Sequence, residues 1–424
     1  MHSVGAPVGG CVPPEQSQLG LLREVVTQLE APWISEHLSF NSTGQFRTGF
    51  LLPPRQTWEG VDRAVSDIRH LQRSMTVPVS VETGVNYLQP RVDELADGDF
   101  VGAVVTEADC GLLLDLHNLF TNERNGRQPI ESFMAAIPLD RVWEVHLAGG
   151  FELDGYWLDA HSGAVPDRLL AQAGDLIAEM PNLKAIVFEI FPAFVPQVGT
   201  EVIAAQLQRL HELWTSRVRR SSDGPRMTRA NLRVRRPTET HVTPEAWEQA
   251  LGSLVVGRAP DDALARELAL DPGIELLRKL VCEFRASMTV SVLRLTSRLL
   301  MLALGQEVFQ TVLRDYWAKV TPQLFAGSEA EAFGRYLEEL GMNVPQLSEV
   351  LAFERAALAT QLDQRSRVVS FDFDPTPMLL ALAEGRLPDT PGTAGHFEIE
   401  LTADGQPGLG DAEGARPSSV LYQH

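Results

Sequence analysis

From the N-terminus to about residue 215, short apolar runs alternate with stretches of helical periodicity, and this rhythm constrains the fold more than any other feature of the chain. The runs at 4–7, 33–40, 77–82, 111–116, 142–147 and 185–191 predict strands. The stretches at 15–29, 58–75, 129–135, 166–179 and 201–214 predict helices between and after them. Strand and helix in regular alternation is the signature of βα units around a parallel sheet. The strand candidates are continuous apolar runs, as expected of strands covered on both faces. The expected fold is therefore α/β and TIM-barrel-like, a fold in which the C-terminal strand ends converge on one functional face.

The rhythm stops near residue 216. Residues 216–242 hold eight arginines among Ser, Gly and Pro, with no apolar periodicity. They read as a solvated linker or, alternatively, as a basic strip for an acidic partner. Thr243 followed by Pro244 marks a helix start. From there to about 365 the pattern is helical, at 245–255, 262–269, 273–304, 306–321, 330–340 and 344–361. Residues 366–424 carry two short alternating segments, 368–373 and 396–401, then a Gly/Pro/Ser-rich tail expected to be disordered. The domain organisation expected is 1–215, a barrel-like metal-binding domain; 216–242, an Arg-rich linker; 243–365, a mostly α-helical domain; and 366–424, short β segments with the tail.

Polar residues collect at the strand ends of the first half. They form Ser35-Glu36-His37, Glu82 with Asn86, Asp115-Leu116-His117-Asn118, Glu144-Val145-His146, Asp159-Ala160-His161 and Glu189. E-x-H at 144/146 and D-x-H at 115/117 and 159/161 put a carboxylate and an imidazole on one face of an extended segment. A single such histidine is usually a satisfied core or surface residue. So many ionisable groups gathered at one barrel mouth would be costly to bury without a metal. Imidazole with carboxylate, and no Cys-x-x-Cys pair among three cysteines, suits iron, manganese or catalytic zinc rather than a structural zinc site.

The segments SEHLSF (35–40), VETGVNYL (81–88), CGLLLDLHNLFTNERN (110–125), VWEVHLAGG (142–150), YWLDAHSGAVPD (156–167) and VFEIFP (187–192) resemble, in order and spacing, the multinuclear non-heme iron-dependent oxidases, a TIM-barrel family. The resemblance covers residues 1 to about 215. It implies two or three iron ions in mixed Fe(II)/Fe(III) state. The implied ligands are His37, Glu82, Asp115, Asn118, Glu144, His146, Asp159, His161 and Glu189, with His37, Asp115, His146 and Glu189 central to catalysis. Asn86, His117, Ser35 and His2 are expected to bind substrate or support the ligands. Glu36 is expected to be structural or supporting. The family implies dioxygen as co-substrate and oxidation of a cysteine or aspartate side chain in a ribosomally made precursor peptide, usually with a partner protein that holds the peptide. Six strand candidates fall short of the barrel's eight, so the first two βα units of the family are expected to be absent from the chain. In the second half, LRLTSRLLMLALG (293–305), LRDYWAKVTPQLF (313–325) and VPQLSEVLAFERAAL (344–358) resemble the helical domain of those partner proteins. Fusion would raise the effective concentration of peptide-holding and catalytic parts.

A net charge of −20 disfavours nucleic acid and anionic membranes as partners. The apolar stretch 290–304 is interrupted by Arg294 and Arg298, so a buried helix rather than a membrane span is expected. Sparse cysteines and the lack of a signal-like N-terminus point to the cytoplasm. Two alternatives remain open at the level of sequence. One is another TIM-barrel metalloenzyme, an isomerase or hydrolase using zinc or manganese. The other is a non-catalytic, peptide-binding relative.

Overall fold

The computed structural model describes residues 1–220, 242–390, 392–403 and 407–409. Most of the Arg-rich segment, 221–241, and the C-terminal tail, 410–424, lie outside the described residues. The chain divides into two compact units, Met1–Lys279 and Leu280–His424.

In the first unit, β1 (His2–Ser3) leads to α1 (Gln16–Gln28), β2 (Ile34–His37) and a hairpin of β3 (Phe40–Ser42) and β4 (Arg47–Leu52). There follow α2 (Trp58–Ser74), β5 (Val79–Glu82), α3 (Asp97–Ala108), β6 (Gly111–Asp115), α4 (Leu116–Arg124) and α5 (Ile130–Met134). Then come β7 (Val142–Ala148), a second hairpin of β8 (Phe151–Leu153) and β9 (Tyr156–Leu158), α6 (Asp167–Ala178) and β10 (Ala185–Glu189). Helices α7 (Val195–Val198) and α8 (Thr200–Arg220) close this run.

Strands β1, β2, β5, β6, β7 and β10 pair in that order, all parallel. This is the sequential order of a TIM barrel over six of its eight strands. Among the described residues β1 and β10 are the outer strands of the sheet. Helices cover it through a core of Val61, Ile68, Leu71, Val104, Leu112, Leu114, Leu147 and Leu169, all fully buried. The register sets His37 beside Glu82, Asp115 beside His146 and Ala148 beside Glu189. The strand ends are thereby levelled at one face.

The expected strand at 33–40 is broken in two, because the chain leaves the sheet after His37 to form the β3–β4 hairpin. The weak candidate at 4–7 is not a strand; pairing is confined to His2 and Ser3. Helices α3 and α4 were not anticipated. Six consecutive buried residues of α3, Phe100–Val105, blur its amphipathic period.

The domain boundary expected at 243 falls instead at Lys279. Helices α9 (Pro244–Val255) and α10 (Ala263–Leu268), with the start of α11 (Gly273–Val292), pack on the first unit. Trp247 is buried, donates its indole N–H to the Pro53 carbonyl (3.3 Å), and lies 4.6 Å beneath the Arg55 guanidinium. The Glu248 carboxylate accepts from the Cys11 amide (2.9 and 3.0 Å), and Asp271 accepts from the Gln89 amide (2.9 Å). Helical periodicity identifies an apolar face but not the core it enters. The N-cap expected at Thr243 is present, its hydroxyl accepting from Ala246 N at 3.2 Å.

The second unit contains α12 (Arg294–Leu304), α13 (Gln306–Lys319), α14 (Ala326–Leu340), α15 (Leu347–Asp363), β11 (Arg367–Phe373), α16 (Thr376–Ala383), β12 (Ala394–Leu401) and β13 (Pro407–Leu409). The three strands form an antiparallel sheet in the order β11–β12–β13. Its core joins Leu300, Tyr316, Phe333, Val350, Phe371 and Leu382. The single helix expected over 273–304 breaks at Leu293, where the chain turns by 106°. The buried Glu354 carboxylate accepts from Leu295 N (2.7 Å) and Thr296 N (2.8 Å), satisfying amides of the new helix start that have no partner within the helix. No single helix among the described residues is long and apolar enough to cross a membrane.

Candidate metal centre at the barrel mouth

The strand ends bring together four sets of side chains, each with ligand atoms within 4.8 Å of one another: His2, His37 and Glu82; Glu82, Asp115 and His146; Asp115, His161 and Glu189; and His117, Asp159 and His161. The sets overlap. Glu82 belongs to two, Asp115 to two and His161 to two.

Glu82 is the hub of the first pair. Its Oε2 lies 2.6 Å from His37 Nδ1 and 3.1 Å from His2 Nε2, and its Oε1 lies 3.6 Å from His146 Nδ1. The Nε2 atoms of His2 and His37 face each other at 3.2 Å. His2 Nδ1 is held by Ser35 Oγ at 2.9 Å, which leaves Nε2 turned inward. Sequence reasoning gave His2 a supporting role; the structure places it among the potential ligands and makes Ser35 its support.

Glu189 joins the other side, with Oε1 3.1 Å from His146 Nδ1 and Oε2 3.5 Å from His161 Nε2. Asp115 ends β6 and caps α4: its Oδ1 accepts from His117 N (2.7 Å) and Asn118 N (3.0 Å). Its Oδ2 is left free. The D-x-H pair at 115/117 therefore spans a strand end and a helix start, and His117 does not share a strand face with Asp115 as its spacing suggested. The pair at 159/161 sits in a loop, where His161 adopts a left-handed backbone, φ +45°. A non-glycine residue held there is strained, a condition common at functional sites. Its ring packs at a tilt of 33° against half-exposed Phe191, centroids 4.9 Å apart.

The E-x-H pair at 144/146 does share one strand face, as expected, but Glu144 is in none of the four sets. Its Oε1 lies 3.2 Å from His146 Nε2, and its Oε2 accepts from Trp33 Nε1 (2.9 Å). Glu144 thus fixes the far nitrogen of His146 and frees Nδ1 for the cavity, the usual place of a carboxylate behind a metal-binding histidine. Trp33 carries no chemistry in its residue type and was missed for that reason. Asn118 donates its amide to Thr83 O (2.9 Å), turning Oδ1 inward. Asn86 serves a local turn, its Oδ1 accepting from Leu88 N (3.0 Å) and its N–H donating to Asn122. Buried Glu36 accepts from Ala6 N (2.8 Å), a structural role.

The test of fit for a metal is the state of these polar atoms. Asp115 Oδ2 and Asn118 Oδ1 are buried without a hydrogen-bond partner, while Glu82 Oε2, His146 Nδ1 and His161 Nε2 face only ionisable groups of the same cluster, His37 at 2.6 Å, Glu189 at 3.1 Å and Asp159 at 2.9 Å. Buried polar atoms are normally satisfied. Two open oxygens among donor atoms that meet chiefly one another, rather than the fold, make a cluster suited to cations.

The electrostatics agree. Burial opposes charge on His146, but Glu144, Glu189 and Glu82 outweigh it and push the imidazole up to about 11. Burial likewise opposes charge on His161, and Asp159 overrides it, raising the group to about 9. Asp115 is pushed up to about 6 by burial and by its neighbours Asp159 and Glu82. The cavity is short of positive charge, the condition a bound cation relieves.

A family model described as RiPP precursor modification enzyme MbnB/TglH/ChrH matches residues 1–201. A UPF0276 protein of Acaryochloris marina is 33% identical over 188 residues, covering 43% of this chain and 67% of the relative. The chain belongs to this family. A UPF0276 protein of Chromobacterium violaceum is 32% identical over 169 residues, covering 40% of this chain and 61% of its own length. The chain thus spans about two thirds or less of the curated relatives it matches. A solved structure of the IOLI protein with a bound zinc atom covers 46% of this chain and 68% of that one, at 14% identity and a TM-score of 0.32. The matched segment 1–201 contains the whole mouth cluster, from His2 to Glu189.

Proposed function

We propose that the first unit is a multinuclear iron-dependent oxidase that uses dioxygen to modify a cysteine or aspartate side chain of a ribosomally made precursor peptide. One observation carries this reading: the ligand sets overlap through shared carboxylates, and their inward atoms meet one another rather than the fold. A mononuclear site needs no such sharing. The two sets that include His161 would serve one ion, so the four sets leave room for three. His37, Glu82, Asp115, Asn118, His146, Asp159, His161 and Glu189 would hold the ions, with His2 added to the sequence-based set and Glu144 withdrawn to support His146. An all nitrogen-and-oxygen donor set suits iron, and membership of a precursor-modifying family favours a peptide substrate.

Bound iron supplies redox reactivity toward dioxygen and Lewis acidity toward a thiolate or carboxylate. The side chains prepare that chemistry. Ser35, Glu144 and Thr83 fix the tautomer or rotamer of His2, His146 and Asn118. Asp115, anchored on its helix by one oxygen, presents the other. The second unit is proposed to hold the peptide, as its resemblance to partner proteins implies.

Elemental analysis with Mössbauer spectroscopy on anaerobically purified protein tests the reading. Two or three irons per chain is the expected result. A full complement of zinc or manganese that iron does not displace would overturn it in favour of an isomerase or hydrolase. A protein that takes up no metal would leave a peptide-binding relative.

A further inference from the structure

His117 offers itself in one of the four ligand sets, yet both its ring nitrogens are engaged. Its Nδ1 lies 2.9 Å from Asp159 Oδ1, and its Nε2 accepts the indole N–H of Trp157 at 3.2 Å. An indole nitrogen only donates. The Nε2 facing it must therefore carry the lone pair, and the ring proton belongs on Nδ1, directed at Asp159. His146 and His161 differ: their inward nitrogens meet only carboxylates, Glu189 Oε1 at 3.1 Å and Asp159 Oδ1 at 2.9 Å, and no obligate donor faces either of them.

Trp157 is built in from several sides. Its backbone N–H donates to Asn125 Oδ1 (2.8 Å), and its carbonyl accepts from Asn125 Nδ2 (2.9 Å). The Arg124 guanidinium lies 4.5 Å over its ring, an arrangement that makes the indole N–H a stronger donor. Only glycine fits opposite. A Cβ at Gly150 would come within 2.1 Å of Leu158 O, 2.8 Å of Trp157 Nε1 and 3.0 Å of His117 Nε2. His117 itself is fully buried. Asp159 is steadied further by its backbone N–H, which donates to the Tyr87 hydroxyl at 3.1 Å.

We propose that His117 is a positioning residue and not a metal ligand: pinned by Trp157, it aims its Nδ1–H at Asp159 and holds that carboxylate against His161. The proposal rests on the metal-centre reading for its consequence, but its core, the tautomer, exists without metal. Partners of this kind behind metal-binding side chains typically tune affinity 10–100-fold without changing the number of ions bound.

Two measurements test it. In metal-free protein labelled with 15N-histidine, a long-range 1H–15N spectrum, assigned through His117→Gln, should show His117 protonated on Nδ1 and bare on Nε2. Trp157→Phe should abolish that preference. A proton on Nε2 in the unaltered chain would overturn the proposal. In anaerobic titrations with ferrous iron against a competing chelator, His117→Leu and Trp157→Phe should bind as many ions as the unaltered chain, with one class weakened 10–100-fold. His117→Gln, which can both donate to Asp159 and accept from Trp157, should recover most of that loss. Loss of one whole ion in both His117 variants, with Trp157→Phe unaffected, would make His117 a ligand and overturn the proposal. If the unaltered chain takes up no iron, the proposed function fails, while the spectrum still decides the tautomer.

Discussion

Both units bury charged groups, but they treat them differently. In the second unit every prominent buried charge is consumed by the fold. Arg285 pairs with Glu329 (2.7 Å) and donates to Val320 O, Glu329 also accepts from Gln323 N, and Glu354 caps the α12 amides. The buried atoms left open there include the hydroxyls of Thr289 and Ser297, which are cheap to leave unpaired beside a charge. At the mouth of the first unit Asp115 Oδ2 is open, and the inward atoms of Glu82, His146 and His161 meet only other ionisable side chains of the cluster. Burying ionisable atoms that hold one another rather than the backbone costs stability and serves nothing in the fold alone. The difference separates polar groups kept for architecture from those kept for chemistry.

The sharpest way to break this contrast is to remove the hub. Glu82→Ala should leave the sheet folded, since the Glu82 carboxylate accepts no backbone amide among the described residues, yet abolish iron loading at two ligand sets at once. Elemental analysis should find at most one ion per chain, and oxidation of a peptide substrate should fall below detection. Full loading in this variant would show that the overlap of ligand sets is incidental.

The converse experiment strikes the second unit. Arg285→Met strands the buried Glu329 carboxylate and removes the guanidinium 5.0 Å over the Tyr316 ring. Loss of one partner of a buried pair costs about 3–5 kcal/mol. Denaturant unfolding followed by tryptophan fluorescence should show that loss, while iron content stays that of the unaltered chain. A parallel drop in iron would mean that the two kinds of buried charge are not independent.

A smaller effect is expected behind the ligands. Glu144→Gln keeps an acceptor for Trp33 but weakens the hold on His146 Nε2. Iron affinity should fall about 10–100-fold with the number of ions unchanged. Competition with a chelator measures this. Loss of an ion would return Glu144 to the ligand set the sequence assigned to it.

That assignment shows where the sequence was readable. The strand-end clusters were visible because apolar runs stop at His37, Glu82, Asp115, His146 and Glu189, and those residue types gathered together mark candidate ligands. The side of a residue was readable too: Glu144 and His146 share a face. Depth was not, because period-two spacing says nothing about which of two same-face residues reaches the cavity. His117 was misplaced for a related reason, since Asp115 ends its strand by capping a helix and the extended geometry lapses between them. Supports such as Trp33, Thr83, Trp157 and Asn125 were invisible, because what recruits them is proximity across the fold. The return of 244–279 to the first unit was hidden in the same way, its Trp247 being indistinguishable in sequence from any core aromatic.

That returning segment carries the mildest test, and the one that asks whether a buried carboxylate outside the mouth behaves as architecture. Glu248 is pushed up to about 7, first by burial and also by Glu245, against the Cys11 amide and Arg63. A folded-state value above the ordinary one of 4.5 means that the folded chain holds this proton more tightly than the unfolded chain. Its contribution to stability is complete below about 4.5 and is lost as pH rises through about 7. Other raised carboxyls, among them Asp67 at about 6, titrate in the same window, so the comparison must be with Glu248→Gln. Urea unfolding of both chains between pH 4.5 and 8 should show the unaltered chain losing about 3 kcal/mol relative to the variant as pH rises. Parallel curves would mean that Glu248 stays ionised throughout, its two bonds to the Cys11 amide sufficing to hold the charge.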